Sequence, residues 1–82
     1  MQSVKEKLLQ RIEVNPKVMV GKPVIKGTRI PVELILRLLA QGITVEELLE
    51  DYPHLAKEDI QAALLYAAGV LADEEVLPIA TG

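Results

Sequence analysis

The 82-residue chain has no cysteine, no phenylalanine and no tryptophan, a single histidine, and two tyrosines, Tyr52 and Tyr66. Without cysteine there is neither a disulfide framework nor a thiolate nucleophile, which fits a reducing cytosol. With His54 as the sole histidine, no paired-histidine metal site and no histidine-based triad can be assembled. Long apolar runs are missing as well. Nothing approaches the ~20 residues that span a bilayer, and the first ten residues are too polar for a signal peptide. The phosphate-binding loop G-x-x-x-x-G-K-[ST] is also lacking, because in Lys26-Gly27-Thr28 the lysine precedes the glycine. The acidic run Glu46, Glu47, Glu50 and Asp51 reads as the solvated face of a short helix rather than as metal ligands. A soluble cytoplasmic protein is therefore expected, not an enzyme, with no cofactor and no membrane partner.

What remains is 50% hydrophobic and built from leucine, isoleucine, valine and alanine, a palette suited to packed helices. A chain of this length makes one small domain, here 1–82, and buries only about 60–65% of its unfolded surface, which leaves room for a partner to contribute. Charge is unevenly placed within the net −3. Residues 1–37 hold eight basic and three acidic side chains, whereas residues 38–82 hold one basic and nine acidic. The front half is thus the face suited to nucleic acid, and the back half would repel phosphate or meet a basic partner. Solvated helix faces with no partner account for both charge runs equally well.

The stretch from Gly21 to Val32 organises the chain: two glycines, two prolines and three cations stand together before the first long helical pattern. Pro31 is expected at the first helical position, where its missing N–H is no loss. Upstream, Ser3-Val4-Lys5-Glu6 has capping-box spacing and predicts a helix over 4–10. Arg11 to Val14 alternates like a strand and ends at the Asn15-Pro16 turn. Val18-Met19-Val20 and Val24-Ile25 are further extended segments, and Arg29-Ile30 could pair with one of them across Lys26-Gly27-Thr28. The edges of so small a ribbon are unprotected, which invites pairing with a second copy.

Downstream, Val32, Ile35, Leu36 and Leu39 mark a helix over 31–41 that Gly42 stops. A second capping box, Thr44 to Glu47, opens a two-turn helix with Val45, Leu48 and Leu49 inward, ended by Tyr52-Pro53. The longest helix opens near Ala56 and runs through Ile60, Ala63, Leu64, Ala67, Ala68 and Leu71 as its inward stripe, with Leu65, Tyr66 and Val70 outside it. Three helices with a short last connection suit a helix-turn-helix arrangement whose third helix is the recognition helix. The expected class is mainly α, a three-helix unit over 31–72 preceded by an N-terminal helix (1–10) and a short β ribbon with a basic turn (11–30), and followed by a tail (73–82).

The string Gly21-Lys22-Pro23-Val24-Ile25-Lys26-Gly27-Thr28-Arg29-Ile30-Pro31-Val32 carries a resemblance. Taken with Arg11-Ile12, Gln41-Gly42-Ile43-Thr44, Tyr52-Pro53-His54-Leu55 and Ala62 to Ala68, it closely resembles family 433 of the domains of unknown function (DUF433) over roughly Arg11 to Ala68. The resemblance implies a homeodomain-like three-helix fold. Many such proteins look like VapB-type antitoxins encoded beside a PIN-like RNase toxin.

Two sets of residues follow as candidates. For DNA they are Lys22, Lys26, Arg29 and Arg37, with Lys57 and Gln61 at the start of the last helix. Against this, Lys22 and Arg29 could equally cap carbonyls or pair with acids, and Glu58 and Asp59 make the last helix a poor reading head. For a toxin partner they are Val76, Leu77 and Ile79, which follow the acidic Asp73-Glu74-Glu75; an ordinary frayed terminus would read the same way. The last helix is apolar almost all round, and its small residues Ala62, Ala63, Ala67, Ala68 and Gly69 suit close approach by a second copy, so a homodimer is expected. The alternative to the antitoxin is a homodimeric interaction module that does not bind DNA.

Overall fold

A computed structural model of the chain describes residues 3–17 and 21–73. It is mainly helical, with four helices and a two-stranded antiparallel sheet: α1 (Val4–Leu9), β1 (Ile12–Val14), β2 (Pro23–Ile25), α2 (Val32–Ala40), α3 (Val45–Asp51) and α4 (Lys57–Asp73). Val18, Met19 and Val20 lie outside the described residues, as do Val76, Leu77 and Ile79.

Local chemistry sets most boundaries. At Ser3 and at Thr44 both halves of a capping box are present, so the first N–H groups of α1 and α3 are bonded by the side chains of Ser3 and Thr44. Helix α2 ends in a Schellman motif. Ile43 N–H donates to the Leu38 carbonyl (3.1 Å) and Gly42 N–H to the Leu39 carbonyl (3.0 Å), with Gly42 at φ +95°. Its start differs from expectation: Pro31 is the N-cap, in extended conformation at φ −69°, ψ 145°, one position outside the helix. The reason is pairing, since Pro31 forms a β-bridge with Val24 and Ile25 N–H donates to the Ile30 carbonyl (3.0 Å). Arg29-Ile30 thus returns alongside β2 without becoming a strand.

The sheet register is Ile12 opposite Ile25, Glu13 opposite Val24 and Val14 opposite Pro23. Ile25, Val32, Ile35, Leu48, Leu55, Ile60 and Ala63 form the core, with Tyr66, Ile12 and Leu36 packed against it. Each such aliphatic side chain contributes about 1.5–3 kcal/mol when fully buried. Helix α4 packs on α1, β1, α2 and α3, but its inward face differs from the expected stripe. Ile60, Ala62 and Ala63 are buried, Tyr66 is half-buried against the core, and Leu64 and Leu71 are 48% and 69% exposed. Ala68 is exposed too. With apolar side chains on every side of α4, sequence periodicity does not choose a face; contact with α1 and β1 does.

Candidate functional site

The turn between β2 and α2 is the most tightly built basic feature. Thr28 N–H and the Thr28 hydroxyl both donate to the Ile25 carbonyl (3.0 and 2.7 Å), and the same hydroxyl accepts from Ile30 N–H (3.0 Å). Gly27 holds φ +83°, a left-handed angle that a β-branched or bulky residue would resist. Lys26 N–H donates to the Arg11 carbonyl (2.7 Å), which ties the turn to the segment between α1 and β1. On this frame the side chains of Lys26 and Arg29 are exposed, and among the described residues neither forms an ion pair. They line an open hollow of about 470 Å³ together with Gly27, Thr28, Ile30 and His54. His54 comes from the turn between α3 and α4.

A second hollow adjoins the first through Lys26 and is lined by Lys7, Gln10, Arg11 and Asp59. Among the described residues Asp59 is the one carboxylate in either hollow, and it is already engaged. It is 6% exposed, accepts from Arg11 Nη1 at 3.0 Å and from Ala56 N–H at 2.8 Å, and so locks the end of α1 to the start of α4.

The other expected cations behave differently. Lys22 Nζ lies 3.1 Å from Glu33 Oε1, and Arg37 Nη2 lies 3.2 Å from Glu33 Oε2, one helical turn on. The hydrogen bond and charge of Lys22 hold the Glu33 carboxyl below the usual carboxylate value; lost hydration works the other way, and Arg37 adds a smaller pull downward. So the pairing alternative describes Lys22, while among the described residues Arg29 has no such partner. Lys57 and Gln61 are exposed on the first turns of α4, beside the exposed Glu58.

Of the six candidates for DNA, then, the structure brings Lys26 and Arg29 together, gathers Lys22 and Arg37 around Glu33, and leaves Lys57 and Gln61 on α4. Lys7, Arg11 and His54 were absent from that set. Arg11 and Asp59 are 48 positions apart, and no local pattern announces their pairing; the one available signal was Asp59 three residues after Ala56, the spacing of a helix-start carboxylate.

Along the other side of α4 runs an apolar groove of about 310 Å³, formed with α2 by Val32, Leu36, Tyr66, Ala67, Val70 and Leu71. Among the described residues no helix is long and apolar enough to cross a membrane.

Residues 12–67 match the family described as a protein of unknown function, DUF433. An uncharacterized protein of Sinorhizobium fredii is 42% identical over 53 residues, which are 65% of this chain and 24% of that protein. An uncharacterized protein of Archaeoglobus fulgidus is 63% identical over 30 residues, 37% of this chain and 83% of that one. The match thus spans about a quarter of the rhizobial protein's length and most of the archaeal one's. The crystal structure of a DUF433 member protein from Anabaena variabilis aligns with a TM-score of 0.73 at 34% identity, covering 85% of this chain and 69% of that chain.

Proposed function

The chain belongs to the DUF433 family, and from that premise we propose that it is an antitoxin of the VapB type, which neutralises a PIN-like RNase toxin and binds operator DNA through its basic turn. The observation that carries the DNA half is the pair Lys26 and Arg29, exposed on a hydrogen-bonded turn whose hollow is lined by no carboxylate among the described residues. A phosphate backbone needs such cations, and a rigid frame lowers the entropy lost on holding them in place. In this reading α2, α3 and α4 form a homeodomain-like helix-turn-helix unit, with α4 in the recognition position and Lys57 and Gln61 on its first turns. The toxin half rests on the acidic balance of residues 38–82, which complements a basic RNase cleft, and on Val76, Leu77 and Ile79 as apolar anchors.

The test is copurification with the product of the neighbouring gene, followed by a salt-titrated gel shift on the upstream DNA. A stable complex that silences RNase activity, with a shift that weakens steeply in salt, is expected. No complex and no salt-sensitive shift would remove both halves.

One feature favours a second reading, a homodimeric interaction module without DNA. From Ile60 to Ala72 there is no charged residue, and Leu64, Val70 and Leu71 are exposed along that stretch. Helix α4 also carries Gly69, where an added Cβ would meet no other described part of the chain within 4 Å, so packing among the described residues gives no reason for a helix-weakening glycine. Close approach by a second α4 does. Sedimentation of the full chain and the gel shift together separate the readings: a dimer that Gly69→Leu dissociates, with no DNA shift, supports the module, and a monomer removes it.

A further inference from the structure

We propose that the Lys26–Ile30 turn, with His54, is a binding site for a phosphate group. This deepens the DNA reading above, in which the phosphate is a backbone phosphodiester, but the chemistry of the site is that of the oxyanion itself and would equally serve a free phosphate. Three independent features converge on it. Lys26 and Arg29 bring two cationic side chains to one open hollow, and charge-assisted hydrogen bonds to phosphate are the strong ones, with the arginine fork matched to two oxygens at once. His54, from the turn between α3 and α4, lines the same hollow, and its ring carries an N–H donor in either protonation state. On the same turn the N–H groups of Gly27 and Arg29 have no acceptor among the described residues and are left to donate outward, whereas those of Lys26, Thr28 and Ile30 are bonded internally.

The hollow also lacks what would oppose an anion. Among the described residues no carboxylate lines it, and Asp59, in the adjoining hollow, already accepts bonds from Arg11 and Ala56. Preorganisation of the backbone completes the case: the Thr28 hydroxyl clamps both sides of the turn and Lys26 N–H is fixed to Arg11, so only the side chains of Lys26 and Arg29 have to be ordered on binding. An ordinary phosphate loop uses a glycine-rich run before a helix with the lysine after the glycine; here the lysine precedes it, and the site is a hairpin turn.

The experiment is a titration of the isotope-labelled full chain at low salt, with inorganic phosphate in one arm and a short DNA duplex in the other, following backbone amide and histidine ring signals. Phosphate should shift Gly27, Thr28, Arg29 and His54 selectively, and Lys26→Ala/Arg29→Ala should weaken that binding about tenfold. Lys22→Ala/Arg37→Ala, which removes the same charge, should weaken it clearly less. Unfolding of each variant, read in the same spectra, separates lost binding from lost structure. Phosphate shifts that are absent, spread over all basic residues, or equally sensitive to both double variants would overturn the site. If phosphate shifts the turn and the duplex does not bind, the site stands and the DNA reading falls. If the duplex binds through Lys57 and Gln61 and phosphate leaves the turn unshifted, this site falls and DNA binding through the basic turn falls with it.

Discussion

Two pairs of cations stand close together in sequence and have opposite fates. Lys22 and Arg37 both reach Glu33, in the first turn of α2, whereas Lys26 and Arg29 project from a turn that offers them no carboxylate. One glutamate therefore engages two of these four cations and takes one unit of charge from their sum. The comparison teaches that a count of basic residues overstates an electrostatic surface until each is checked for a partner. It also ranks the turn above the start of α2 as a contact for any polyanion.

The largest way to break the comparison is to remove the anchor on which the turn rests. Asp59→Ala should destabilise the fold by about 2–3 kcal/mol in urea unfolding, since it frees a buried hydrogen bond from Ala56 and leaves Arg11 without its partner. Because Lys26 is bonded to the Arg11 carbonyl, the turn should loosen while the Glu33 cluster keeps its geometry. Next in size, Thr28→Val removes the hydroxyl that bonds both Ile25 and Ile30, at a cost of about 1–2 kcal/mol. Faster hydrogen exchange confined to residues near the turn is the expected signature.

Smaller effects sharpen the other side. Glu33→Gln releases Lys22 and Arg37, so DNA affinity at low salt should rise a few-fold and approach the level expected if all four cations were available. Glu33 and Glu47 are both held below the ordinary carboxylate value, Glu33 chiefly by the Lys22 hydrogen bond and Glu47 chiefly by the backbone N–H of Thr44. For a lowered folded pKa, the stabilisation is complete above the unfolded glutamate value and is lost as pH falls through it toward the folded value. Thermal stability should thus decline below pH ~4.5, and Glu33→Gln should flatten part of that decline. A Glu33→Gln variant as acid-sensitive as the parent would show that the Lys22 pairing contributes nothing in solution.

Much of this fold is legible in local chemistry. Ser3 and Thr44 with their partner glutamates place α1 and α3, and Gly42 stops α2, because capping depends on residues three or four positions apart. The β2–α2 turn is legible for the same reason, in the order Lys26-Gly27-Thr28. Two kinds of feature are not. The inward face of α4 differs from its sequence pattern at Leu64 and Leu71, because an almost wholly apolar helix gives no periodic contrast and the choice is made by α1, absent from that window. The division of the cations was illegible because it depends on which of them Glu33 and Asp59 reach, and Arg11 finds Asp59 across most of the chain.

The most direct test of the comparison measures duplex DNA affinity against salt concentration for the parent, for Lys26→Ala/Arg29→Ala and for Lys22→Ala/Arg37→Ala. The two variants change net charge equally. Removal of the turn cations should weaken binding about tenfold at low salt and lower the salt slope by roughly two, and removal of the Glu33 pair should do far less on both counts. Equal losses from the two variants, or a larger loss from the Glu33 pair, would contradict it.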